Sequence, residues 1–160
     1  MNSISWMIGH LAAFEQQIWV ESAQGKIISE AVRPCDYGKP PSTPSFDDML
    51  AAAHAIAPAA DAFLDSLTED DMAKSLLVNG KALGENNGTM IMRQTWHYWY
   101  HLGECQAVRQ MLGHANLPEY VGQIDGDVVY GPNRAKDLVD RMVNGLNDHE
   151  IAGMEAYWSE

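Results

Sequence analysis

Apolar residues recur at every third or fourth position in four stretches of this chain, and no longer repeat overlies them. That period matches the 3.6 residues per turn of an α-helix, not the two-residue period of a half-buried strand. In the first stretch, Ser3 to Ser22, Ile4, Met7, Ile8, Leu11, Phe14 and Ile18 fall on one stripe. The second begins after Ser45, with Met49, Ala53, Ile56, Ala60, Phe63 and Leu67 along one face. Ser45 and Asp48 open it as a capping box would, with Asp in place of Glu. Pro58 predicts a kink there, because it lacks a donor and crowds the carbonyl of His54. The third stretch runs from about Thr89 to Leu112, with Gly113 placed to end it. Its middle is apolar or aromatic nearly all round, which predicts the most buried helix. The fourth starts after Asn133, with Leu138, Val139, Met142 and Leu146 on one side. Asn144-Gly145 predicts a break in it, and Asn147 with Glu150 the cap of a last helix.

The connections carry turn chemistry instead of strand patterns. "VRPCDYGKPPSTPS" holds Pro34, Pro40, Pro41 and Pro44, and "NGKALGENNG" (79–88) reads as turns with room for a short hairpin. Helices joined in this way predict an all-α bundle, with residues 1–160 as a single domain. The formal charge of −12 argues against nucleic acid and against anionic membranes, which it would repel. No apolar run reaches the roughly 18 residues of a membrane span. The first residues lack a basic region and meet Glu15 early, so no signal peptide is expected. Cys35 and Cys105 are too few for a disulfide framework, and reduced thiols in the cytoplasm are the expectation. No G-x-S-x-G, P-loop or G-x-G-x-x-G is present, so phosphate and dinucleotide chemistry has no support.

One segment inside the third stretch carries chemistry. In "WHYWYHLGE" (96–104), His97 and His101 are four apart, so both rings leave one helix face about 6 Å from each other. That spacing lets two ring nitrogens reach one cation, and a third ligand must come from elsewhere. His10 flanks the first stripe beside Met7 and Phe14, so it can point into a bundle; otherwise it is a core-edge histidine bonded to a carbonyl. His54 lies about 140° from its helix's apolar stripe and is expected to be exposed. His114 follows the helix in a loop, and His149 lies near the predicted break. Glu104 stays within about 20° of His97 around the helix. It is placed to ligate, to orient a histidine, or to remain solvated, and it is the nearest candidate for a general base. Cys105 reads as a small buried thiol before a soft ligand. Three histidines on a divalent ion would leave open positions, as catalytic sites do.

Three segments together resemble the DinB/YfiT-like superfamily of metal-binding four-helix bundles. "SISWMIGHLAAFEQQIW" (3–19) is similar to the family's second helix, with His10 at its first metal histidine. "TWHYWYHLGECQAVRQMLG" (95–113) is similar to its last core helix, where the histidine pair is followed by Gly103 and Glu104. "LPEYVG" (117–122) resembles the tail that often follows, so the likeness covers residues 3–122. The resemblance implies a divalent metal (zinc, nickel or iron) on His10, His97 and His101. It also implies a low-molecular-weight thiol, since relatives include bacillithiol-dependent thiol transferases and a mycothiol-dependent maleylpyruvate isomerase. Family members usually begin one helix earlier. The expectation is that the C-terminal helix (133–158) or a second subunit fills that place, the latter as a homodimer.

The function expected from these residues and this likeness is a metal-dependent transferase or hydrolase that activates a thiol or water for a small-molecule substrate. The alternative is a non-catalytic metal- or small-molecule-binding stress or regulatory protein. A metal-free bundle with structural histidines is the third reading.

Overall fold

The computed structural model describes residues 2–78 and 81–117. The expected C-terminal helix (133–158), the proposal that it replaces a bundle helix, His149 and nearly all of the 117–122 tail lie outside the described residues.

Helix α1 spans Ile4–Glu15, capped by the Ser3 hydroxyl, which accepts from the amide of Trp6 at 3.2 Å. The chain then widens into a π-helical stretch, Gln16–Ser22, where the sequence period predicted a plain α-helix. The wider turn lets three consecutive residues, Ile18, Trp19 and Val20, all be buried, which an ordinary surface helix does not allow. Gln16 rewards this geometry. Its Oε1 accepts from the amides of Ile28 and Ser29 at 2.8 Å each, and its Nε2 donates to the Ser29 carbonyl at 2.9 Å. The loop that follows is thereby held against the helix, and it ends in a 3-10 turn, Arg33–Cys35.

Helix α2 spans Phe46–Ser66. Ser45 caps it, its hydroxyl accepting from the Asp48 amide at 3.4 Å. Pro58 sits inside this helix without ending it. The loss is one backbone bond, to the carbonyl of His54. Helix α3 is a single turn, Glu69–Met72, and β1 (Leu77–Val78) pairs antiparallel with β2 (Lys81–Ala82) in the register Leu77 to Ala82. Helix α4 spans Asn87–Met111, capped by Asn86, whose Oδ1 accepts from the Thr89 amide at 2.8 Å. It ends in a Schellman motif. Gly113 takes φ 78°, its amide donates to the Gln110 carbonyl, and the His114 amide donates to that of Arg109.

The core lies where α1 and its π-helical continuation meet α2, around Met7, Trp19, Val20, Val32, Cys35 and Ile56. Helix α1 packs on α2 along one side and on α4 along another. The expectation that the third stretch would be the most buried is therefore corrected. No residue from Ile4 to Gln16 is exposed, whereas α4 leaves Trp96 61 % and Tyr100 64 % exposed. An apolar composition all round a helix does not settle burial. Position between two neighbours does, and α1 holds that position.

Candidate metal centre

Antiparallel packing of α1 on α4 brings His10 against His97 and His101. The pairing runs in order: Met7 meets Cys105, His10 meets the two histidines, Glu15 meets Tyr98, and Trp19 meets Gln94. His10 Nε2 lies 3.1 Å from His97 Nε2, which lies 3.1 Å from His101 Nε2. The three residues offer one ligand atom each within 4.8 Å of one another, and they form the one such group among the described residues.

The opposite nitrogens explain why these atoms converge. His10 Nδ1–H donates to the Cys35 carbonyl at 2.8 Å. His101 Nδ1–H donates to the Glu104 carboxylate at 2.7 Å. A neutral ring with its proton on Nδ1 has a lone pair on Nε2. Two lone pairs therefore face His97 Nε2, which can donate a single proton. Protonating His97 further is disfavoured, because burial first, then His101 and His10, pulls it down to about 4. Burial likewise lowers His101, with the Glu104 bond working against that shift. Neutral rings with converging lone pairs are the donor set of a divalent cation. The spacing suits it too. Nitrogens about 2.1 Å from one ion lie roughly 3.0 Å apart at a right angle and roughly 3.4 Å apart at a tetrahedral one, and the two 3.1 Å separations fall in that range.

Aromatic rings brace the three imidazoles. Trp6 stacks on His10 with centroids 4.6 Å apart, Phe14 meets His97 edge-on at 5.0 Å, and Tyr100 meets His101 edge-on at 5.1 Å. Trp6 and Phe14 pack against the core and flank the histidines at the same time.

The other nominated residues are placed as follows. Glu104 lies on the Nδ1 side of His101, away from the converging Nε2 atoms, so it holds the ring and is not in the ligand group. Cys105 stands beside Met7, sulfur to sulfur 3.5 Å, and burial pushes its thiol up to about 11. That suits a half-buried packing thiol and not a ligand. His54 is exposed, and His114 serves the end of α4. The Cys35 carbonyl was missed as a site group. Nothing in a loop's sequence marks which backbone oxygen will meet a histidine.

The fold and the site together define an all-α protein with a three-histidine group able to hold a metal ion between two helices. The family model of the DinB superfamily matches residues 1–105, and the chain belongs to that superfamily. No curated protein and no solved structure matches the chain. Among the described residues, no helix is long and apolar enough to cross a membrane.

Proposed function

We propose that His10, His97 and His101 hold a divalent zinc, nickel or iron ion through Nε2, and that the protein is a metal-dependent transferase or hydrolase acting on a small molecule. The convergence of three Nε2 atoms whose partner nitrogens are already engaged carries this reading. When bound, such an ion would supply the positive charge that makes a thiol or water a nucleophile near neutral pH. The chain's own residues do the rest. The Cys35 carbonyl and Glu104 fix the tautomers of His10 and His101, so that neither ring spends its Nε2 on a proton. Trp6 and Phe14 shield the imidazoles from water on their flanks. Glu104, with its side chain 30 % exposed, would take a proton only by way of the His101 ring it holds, since it lies on the side away from the converging Nε2 atoms. Free cysteines at positions 35 and 105 suit the cytoplasm, where a low-molecular-weight thiol would be the co-substrate.

Binding without turnover is the second reading, favoured by one observation: the Glu104 carboxylate is already committed to His101. The test begins with protein purified without a His tag or added metal. Elemental analysis should find one divalent ion per chain, and His97→Ala should lose it. The loaded protein should then accelerate transfer of a cysteine-type thiol to a chromogenic electrophile, or hydrolysis of an activated amide or ester. Unchanged metal content in His97→Ala would overturn the site. Full metal content with no rate enhancement would favour binding alone.

A further inference from the structure

We infer that two hydrogen bonds, Tyr98 to Glu15 and Trp19 to Gln94, set the axial register between α4 and the helical stretch Ile4–Ser22, which makes Glu15 and Tyr98 positioning residues for the histidine group. The inference rests on the metal-centre reading above and goes beyond it, because none of these side chains is a ligand.

The argument starts from what a split site requires. One ligand stands on α1 and two on α4, so a slide of either helix along the other separates them. One residue of slide is about 1.5 Å, while a metal site tolerates about 0.5 Å. Interdigitated apolar side chains resist a small slide but can be satisfied again at another repeat of the stripe, so they select a register less sharply than directional bonds do. The Tyr98 hydroxyl donates to Glu15 Oε2 at 2.6 Å. Four residues further toward the N-terminus of α4, Gln94 Oε1 accepts the indole N–H of Trp19. Two directional bonds thus cross between the helices, at Glu15–Tyr98 and at Trp19–Gln94.

Burial gives these bonds their force. Glu15 is 6 % exposed, Gln94 8 % and Trp19 1 %. Breaking such a bond leaves a buried polar group unpaired, so a register that breaks it is disfavoured. Burial, with Asp61 nearby, raises the Glu15 carboxyl against the lowering effect of the Tyr98 bond. The crossing also lies next to the site: Tyr98 adjoins His97 in the chain, and Phe14, beside Glu15, touches the His97 ring.

The experiment titrates the full chain with cobalt(II), reading affinity by chelator competition and geometry by the visible ligand-field bands, with urea unfolding in parallel. Tyr98→Phe should weaken cobalt(II) binding at least tenfold and shift the bands. Ile56→Ala, a core change in α2, should lower stability yet leave affinity within twofold. The double variant Glu15→Met with Tyr98→Phe replaces the bonded pair by apolar groups and should regain stability, while affinity stays at least tenfold down. Affinity that recovers together with stability would overturn the inference. Should the double variant not fold, Glu15→Gln decides from the α1 side alone. It keeps an acceptor for Tyr98 and should bind within threefold of wild type, and a tenfold loss would overturn the inference. Wild-type protein that binds no cobalt(II), or binds it equally as His97→Ala, sinks the metal-centre reading and this inference with it. Binding that depends on His97 but ignores Tyr98→Phe sinks the inference alone.

Discussion

Gly9→Ala is the substitution whose effect the packing defines most tightly. Gly9 precedes His10 on α1 and faces the Arg33–Cys35 turn and Met49 of α2. A Cβ at this position would stand 2.4 Å from Met49 Sδ, 2.8 Å from Cys35 Sγ and 3.2 Å from Met49 Cγ. Unstrained carbon contacts lie at about 3.5–4.0 Å, so the two sulfurs would have to retreat by roughly 1 Å. Met49 is 2 % exposed and Cys35 0 %, so neither has open space to move into. Overpacking of this kind costs about 1–3 kcal/mol. Replacing a helical glycine by alanine returns about 0.5–1 kcal/mol. The net expectation is a loss of roughly 0–2.5 kcal/mol, centred near 1, read as a lower urea midpoint of the metal-free protein. The site should feel it as well. The Cys35 carbonyl holds His10 Nδ1 at 2.8 Å, and the same turn would have to shift. Zinc affinity measured against a chromogenic chelator should therefore fall by about tenfold, the scale of losing a partner behind a ligand. A Gly9→Ala protein more stable than wild type by about 0.5–1 kcal/mol, as an unobstructed helical position would give, would refute the close approach of α1 to this turn.

Removing the carboxylate behind His101 by Glu104→Ala should weaken metal binding about 10–100-fold and cost the metal-free protein about 1–3 kcal/mol, because His101, 5 % exposed, loses the acceptor of its Nδ1–H, as competition titration and urea unfolding would show. Zinc should stabilise wild type by about 2.7 kcal/mol at a hundredfold excess over Kd, seen as a higher urea midpoint, and leave the midpoint of His97→Ala unmoved. Acid should act on the metal-free fold through groups of opposed sign, of which His97 and Glu15 oppose each other near neutral pH. His97 is depressed to about 4 from 6.5, so its native state favours the neutral ring; that stability is full above 6.5 and is lost as pH falls through 4. Glu15 is raised to about 7 from 4.5, so its contribution is full below 4.5 and is lost as pH rises through 7. Between pH 4.5 and 6.5 the two oppose, and Glu15→Gln should uncover a steeper rise of stability with pH than wild type. Equal slopes in urea titrations across that window would refute the pairing of signs.

Much of the local structure was legible in the residues. Ser3, Ser45 and the turn at Gly113 mark helix ends because a side-chain oxygen or a left-handed residue meets orphan backbone groups within a few positions. The i, i+4 spacing put His97 and His101 on one face by helix geometry alone. His10 was reachable because it edges an apolar stripe, and Glu104 because it shares a face with the pair. The π-helical stretch was not legible. It depends on Gln16 finding the amides of Ile28 and Ser29 across a loop. The buried character assigned to α4 was wrong for a related reason, since its aromatic residues are apolar in composition whether or not a neighbour covers them.

What the amino-acid sequence determined by itself is what lies within about one turn of a helix: the period, the caps, the acidic balance and the shared face of two histidines. What only the tertiary structure decided is the level at which α1 meets α4. That level places His10 Nε2 3.1 Å from His97 Nε2 and joins Glu15 to Tyr98 across 83 positions of chain. Helical periodicity repeats every turn, so several registers bury the same apolar stripe almost equally well. A few directional bonds between buried polar groups separate them, and those partners meet only when the chain has folded.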